Sequence, residues 1–204
     1  MSRPLIIGIT GSIASGKSEL VKLLQQQNFK IHSTDLLGHG VLNLFTVKQR
    51  LVEEFGGDIV INNQVDRTKL GNAVFGNPRK LKLLNSITHP YILLMMKELV
   101  SNCTEKQIFF EVPLLFEANL ESHFDYIITV STTKDIQLKR LMARNKLDEE
   151  QAMLKINSQL PNYVKEVKAN YIINNDGAIE DLQPQVKELL DNLKTLRHKE
   201  VTPF

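Results

Sequence analysis

The chain has 204 residues, 42% apolar and 24% charged, which suits one globular domain with a sizeable buried core. Its 10 glycines and 7 prolines, and the lack of any repeat of about 20 to 50 residues, exclude collagen-like, low-complexity and solenoid architectures. Twenty-five Lys and Arg against 23 Asp and Glu leave a net charge of +2, too little for binding along a nucleic-acid backbone to dominate, and nothing points to a membrane partner.

Taken in chain order, short β-branched runs alternate with longer segments of helical period, the pattern of a parallel sheet covered on both faces. The first predicted strand is Leu5 to Thr10. Its apolar run is shorter than the about seven residues of a secretory core or the about twenty of a membrane helix, so a soluble, cytoplasmic protein is expected.

Directly after it, Gly11-Ser12-Ile13-Ala14-Ser15-Gly16-Lys17-Ser18 matches G-x-x-x-x-G-K-[ST] and opens a helix carrying Leu20, Leu23 and Leu24. A loop in that setting aims successive backbone N–H groups, from Ala14 to Gly16, at a phosphate, and the helix N-terminus adds partial positive charge. Lys17 is expected to reach the β- and γ-phosphates of a bound nucleotide, and the Ser18 hydroxyl to ligate Mg²⁺. Glu19 is expected to lend its backbone N–H to the α-phosphate, with its carboxylate turned away.

The second predicted strand, Phe29 to Ser33, delivers Asp35 just past its carboxyl end, the edge where ligands sit in open α/β sheets. A carboxylate there can deprotonate an acceptor hydroxyl, or it can simply cap the following helix. His32 reads as a partly buried strand residue. About seventy residues then intervene before the next strand, too many for one crossover helix. Gly56-Gly57-Asp58 to Asp66 suggests a turn or small hairpin, followed by two or three helices through Lys97 that break near Asn77-Pro78 and His89-Pro90. Tyr91, Met95 and Met96 recur on one helical face, as core or as an apolar wall. Cys103, the one cysteine, cannot form an intramolecular disulfide, so a reducing compartment is expected and the residue reads as small and buried.

The remaining strands are predicted at Gln107 to Glu111, Tyr126 to Val130 and Tyr171 to Asn174. Glu111 closes its strand where an acid could help hold Mg²⁺. A helical excursion rich in Lys and Arg runs from Thr133 to Lys168, with Arg140 and Arg144 on one face. Ile179, Leu182, Val186, Leu189, Leu190, Leu193 and Leu196 trace a terminal helix, and 198–204 is expected to fray.

A GTPase is the nearest rival, since Asp35-Leu36-Leu37-Gly38 fits D-x-x-G and Asn145-Lys146-Leu147-Asp148 fits N-K-x-D. Only seventeen residues separate Lys17 from Asp35, however, and the second tetrad follows a charged helical segment rather than an apolar strand.

With the loop and Asp35 in place, the chain resembles the dephospho-CoA kinase family over roughly residues 5 to 196. The likeness also rests on His39, Phe55-Gly56, Asp66-Arg67, His89-Pro90, Pro113-Leu114-Leu115-Phe116-Glu117, Gln137 with Arg140 and Arg144, Gln159, and Ala169 with Ile173, Asn175 and Gly177. The resemblance implies a P-loop kinase fold in one domain: a five-stranded parallel sheet flanked by helices (about 1–55, 106–132 and 169–198), a helical acceptor-binding insertion (about 56–105) and a helical lid (about 133–168). It implies ATP and dephospho-CoA as substrates, Mg²⁺ as cofactor, and Asp35 as the base acting on the ribose 3′-hydroxyl. Arg140 would be a lid arginine closing over ATP, and Arg67 would bind the acceptor or the transferring phosphate. His89, Pro113, Leu114 and Glu117 would shape the acceptor site, and Asn175 would lie near the adenine. Ser33 stands where the family usually has a further acid, and Ser12 and Ala14 replace two of its loop glycines. The remaining alternatives are a P-loop kinase for another small alcohol, such as a nucleoside monophosphate or shikimate, or a non-enzymatic ATP-binding regulator.

Overall fold

The computed structural model describes residues 3–204. From the N-terminus come β1 (Leu5–Thr10), α1 (Lys17–Gln26), β2 (Ile31–Ser33), α2 (Thr34–Val41) and α3 (Phe45–Phe55). A short hairpin, β3 (Val60–Ile61) and β4 (Gln64–Val65), precedes α4 (Arg67–Val74) and α5 (Pro78–Ser101). The chain continues through β5 (Gln107–Glu111), β6 (Tyr126–Ser131), α6 (Lys134–Asn145), α7 (Glu149–Asn157), α8 (Asn162–Lys168), β7 (Tyr171–Asn174) and α9 (Leu182–Lys194).

Two compact units emerge. One runs up to Ser33 and resumes over Cys103–Pro203, and the other is Thr34–Asn102 with Phe204. The first holds a parallel five-stranded sheet in the order β2-β5-β1-β6-β7. All six residues of β1 are buried, as expected of a central strand covered on both faces. Ile7 and Ile9 join Phe109, Ile128, Val130 and Ile173 in a core closed by Leu20 and Leu24 of α1 and Leu182, Val186, Leu189 and Leu193 of α9. On the other face Gly8 makes room for Leu115, whose Cδ1 would lie 2.8 Å from an added Cβ. No helix among the described residues is long and apolar enough to cross a membrane.

Segment 198–204 forms no helix or strand, yet it is tied down rather than frayed. The Lys199 amide donates to Asp125 Oδ1 at 2.7 Å, the Thr202 amide to Ser122 O at 2.7 Å, and Arg3 Nη2 to Lys199 O at 2.9 Å. Asp125, 2% exposed, also accepts from the Ile6 amide and pairs bidentately with Arg3. Burial opposes its ionisation, but the Arg3 guanidinium and the amides of Ile6 and Lys199 outweigh that and hold its carboxyl below the ordinary carboxylate range. Asp125→Asn should therefore cost about 2 to 4 kcal/mol, because an amide NH₂ then faces donors. The contribution is present above the unfolded carboxyl pKa of about 3.9 and is lost as pH falls through the lower folded value. Melting curves from pH 7 downward check this: the gap between wild type and variant should be widest at pH 7 and shrink steadily once the pH falls below about 3.9.

The second unit has its own core of Val41, Val47, Leu51, Ile59, Val65 and Leu70, with Tyr91 and Met95 of α5 packed against it. Met96 is buried too, so this helix face serves as core. The predicted hairpin turns at Asn62 and Asn63, both at positive φ, where asparagine is tolerated. Asn77 caps α5 by accepting from the Lys80 amide at 3.1 Å, and Pro78 occupies its first turn. The expected break at His89-Pro90 does not occur: α5 runs on through Pro90. Leu84, Ile87, Tyr91, Ile92 and Met95 on both sides of the proline pack on one core, which offsets the about 3 kcal/mol of an internal proline.

Candidate active site

The phosphate loop leaves β1 at the carboxyl edge of the sheet. Gly16 adopts φ 91°, and a Cβ there would meet Asn175 Nδ2 at 1.8 Å, so only glycine fits. Ala14 is also left-handed, at φ 58°, so the position does carry a Cβ, in a backbone conformation that favours glycine. The backbone amides of Ala14, Gly16 and Ser18 have no protein acceptor among the described residues, whereas the Ser15 amide donates to Ser12 O and the Glu19 amide to Gly16 O. Free donors on left-handed loop turns at a helix N-terminus make an anion-binding concavity. Lys17 Nζ folds over it, donating to Gly11 O at 2.6 Å and Ser12 O at 3.1 Å. The Glu19 carboxylate pairs with Lys22 Nζ at 3.0 Å.

A cleft of about 420 Å³ brings several predicted residues together: Ala14, Gly16, Lys17, Ser18 and Glu19 from the loop and α1, Arg140 from α6, and Asn175 after β7. Glu111, Arg144, Gly177 and Ile179 complete its lining. Gly11 and Ser15 are buried behind the loop. Arg140 Nη1 donates to Asn175 O at 2.8 Å, and Asn175 Nδ2 to Ser15 O at 2.8 Å, so one chain of hydrogen bonds links α6, the turn after β7 and the loop. Asn175 is 5% exposed, and its amide braces the loop. Asp176 accepts from Thr132 Oγ1 and from the Thr133 amide, just ahead of α6. Burial opposes its ionisation, but these donors outweigh that and hold the carboxyl below the usual range.

The other expected site residues sit elsewhere. Pro113 O accepts from Thr10 Oγ1 at 3.3 Å, and Leu114 is exposed. Glu117 pairs with the fully buried Lys165 at 2.8 Å and accepts from the Leu160 amide, so it ties the segment after β5 to α8. Asp35, Arg67 and His89 belong to the second unit. Asp35 is the second residue of α2, inside the helix, and so is not its cap; its carboxylate is exposed, with no bond to another described residue. Arg67 opens α4 and pairs with neither Asp66, which caps that helix, nor Glu54, which pairs with Arg50. His89 is half-buried, and burial pushes its pKa down. Cys103 is half-buried rather than buried. The N-K-x-D tetrad is a helix-to-helix turn: Lys146 is left-handed after α6 and Asp148 caps α7 in a capping box.

Sequence reasoning gave no role to the clamps around Ile13. Gln137 Nε2 donates to Ile13 O at 2.7 Å, and Gln159 Oε1 accepts from the Ile13 amide at 2.7 Å. No local signal in the sequence marks a glutamine for this, because the partner is backbone.

A family model described as Dephospho-CoA kinase matches residues 5–181. The dephospho-CoA kinase of Fusobacterium nucleatum is 37% identical over 190 residues, covering 93% of this chain and 98% of that protein. Among solved structures, one from Thermus thermophilus superposes with a TM-score of 0.82 at 31% identity, covering 94% of this chain and 99% of its own. The dephospho-CoA kinase from Campylobacter jejuni gives a TM-score of 0.67 at 28% identity, covering 92% and 96%.

Proposed function

Because the chain belongs to the dephospho-CoA kinase family, we infer that it transfers the γ-phosphoryl group of ATP to the ribose 3′-hydroxyl of dephospho-CoA, yielding ADP and coenzyme A in the last step of coenzyme A biosynthesis. The observation that carries the reading is the cleft itself, where unpartnered loop amides, Lys17 and Arg140 line one cavity at the carboxyl edge of a parallel sheet.

In this reading the amides of Ala14, Gly16 and Ser18 hold the phosphates, and Lys17 exchanges its loop carbonyls for β- and γ-oxygens. Gly177 and Ile179, with Asn175 behind them, flank the nucleoside end. The Ser18 hydroxyl and the Glu111 carboxylate, hard oxygen donors on one cleft, suit Mg²⁺. When bound, that ion would neutralise charge on the phosphates. Asp35 follows β2 by one intervening residue. It takes the 3′-hydroxyl proton as the new O–P bond forms and the bond to the β,γ-bridging oxygen breaks. Arg67 and His89 serve the acceptor, as do Pro113 and Leu114. Glu117 supports them through Lys165. A reducing cytoplasm fits the one cysteine.

The test is ADP release from ATP and Mg²⁺ with dephospho-CoA, in parallel with AMP, shikimate and pantetheine. Dephospho-CoA should exceed the others by orders of magnitude; a preference for AMP or shikimate supports another small-alcohol kinase, and no rate with any acceptor supports a nucleotide-binding regulator.

Arg140→Ala should lower kcat by about 10² while moving the KM for dephospho-CoA much less, since a guanidinium at the phosphates acts mainly on transition-state charge. Steady-state kinetics check this, and a normal kcat would make Arg140 a structural link to Asn175 alone.

A further inference from the structure

Ile13, the residue before the strained Ala14, is held on both sides of its Cα. Ile13 donates its N–H to Gln159 and accepts at its C=O from Gln137, residues that lie 146 and 124 positions away in sequence. Backbone polarity fixes both amides, since the Ile13 N–H can only donate and its carbonyl can only accept. The side chains of Ile13 and Ala14 also pack against Leu141, Ala152 and Ile156, the small core of the α6–α7 arm. Gln137 is 2% exposed, so neither water nor another group can readily replace its amide. Arg140 stands one turn further along the same helix and lines the cleft.

We propose that Gln137 and Gln159 are positioning residues that hold Ala14 in its left-handed conformation, so that the α6–α7 arm sets the shape of the phosphate loop. A non-glycine residue at φ 58° persists only where its surroundings over-determine it, and side-chain hydrogen bonds on the two successive peptide units that flank the Ile13 Cα, plus a packed core, do that here. The amide of Ala14, one of the free donors of the loop, is then aimed by α6 rather than by the loop's own sequence. The proposal rests on the reading that this loop binds ATP.

The test is a double-mutant cycle in the full chain: wild type, Gln137→Met, Ala14→Gly and the double variant, each with the Kd of a non-hydrolysable ATP analogue and the KM of both substrates. Methionine keeps the shape of glutamine and loses the donor. Gln137→Met should weaken the ATP analogue about tenfold, the effect of a lost buried hydrogen bond, with little change in the KM for dephospho-CoA. In the Ala14→Gly background the same change should cost less than about threefold, because glycine adopts the left-handed conformation unaided. An equal loss in both backgrounds, or none in either, overturns the proposal. A wild-type chain that binds no ATP analogue instead overturns the nucleotide reading, and the proposal with it. If Gln137→Met does not fold, Gln159→Met, at a half-buried position beyond α7, runs the same cycle with the same two outcomes.

Discussion

Lys17→Ala should leave a folded protein whose kcat is reduced by about 10³ or more, the largest single loss expected on the nucleotide side. Lys17 is the first residue of α1, and its ammonium is held at the loop by Gly11 O and Ser12 O, so it costs little reorganisation to meet the phosphates. Negative charge builds on those oxygens during transfer, and the neutral amides of Ala14, Gly16 and Ser18 cannot supply the lost unit charge. Stability should change little, because the cleft is open and water can take over the two carbonyls. Turnover at saturating substrates, measured beside a melting curve, decides the matter. A variant keeping more than about a tenth of the wild-type kcat removes Lys17 from the mechanism, since one decade is only about 1.4 kcal/mol.

Asp35→Asn should slow phosphoryl transfer by about 10² to 10⁴ while leaving ATP binding almost normal. The structure sharpens this test. Asp35 lies within the first turn of α2 rather than at its cap, it is exposed, and no described residue pairs with it. Losing its charge should then cost at most the about 0.3 to 1 kcal/mol of a carboxylate near a helix N-terminus. A near-normal melt with a slow single turnover is therefore the expected result, and an unchanged rate would sink the base assignment. Ser33, the last residue of β2, sits in register with Glu111 on β5. The carboxylate missing at Ser33 thus has a neighbour one strand over, and Glu111→Gln in the same assay shows whether it shares the work.

Much of this was legible in the sequence where the physics is local. β1, β5 and β7 read to the residue because each is an apolar run bounded by polar or turn residues. β2 begins two residues later than its pattern suggests: Phe29 packs on the core, but its amide still closes the end of α1 on Leu24 O. The loop was readable because its glycines, lysine and serine act within eight residues of one another. What escaped depends on distant partners. Pro90 is absorbed by a helix because residues on both its sides share one core, and the terminal segment is fixed by Asp125, more than seventy positions earlier. Gln137, Gln159 and Asn175 stand out only through the family resemblance, which puts Asn175 near the adenine; what their amides bond is set by backbone groups far away in sequence. Lys165, one of several lysines in the basic helical stretch and not distinguished there, is fully buried against Glu117.

The most direct test of the central claim is the position of the transferred phosphate. Phosphorus NMR of a mixture of the protein, ATP, Mg²⁺ and dephospho-CoA should show ADP and a new ribose 3′-phosphomonoester appearing in equal amounts. ADP accompanied only by inorganic phosphate, or a phosphomonoester at any other position, would contradict it.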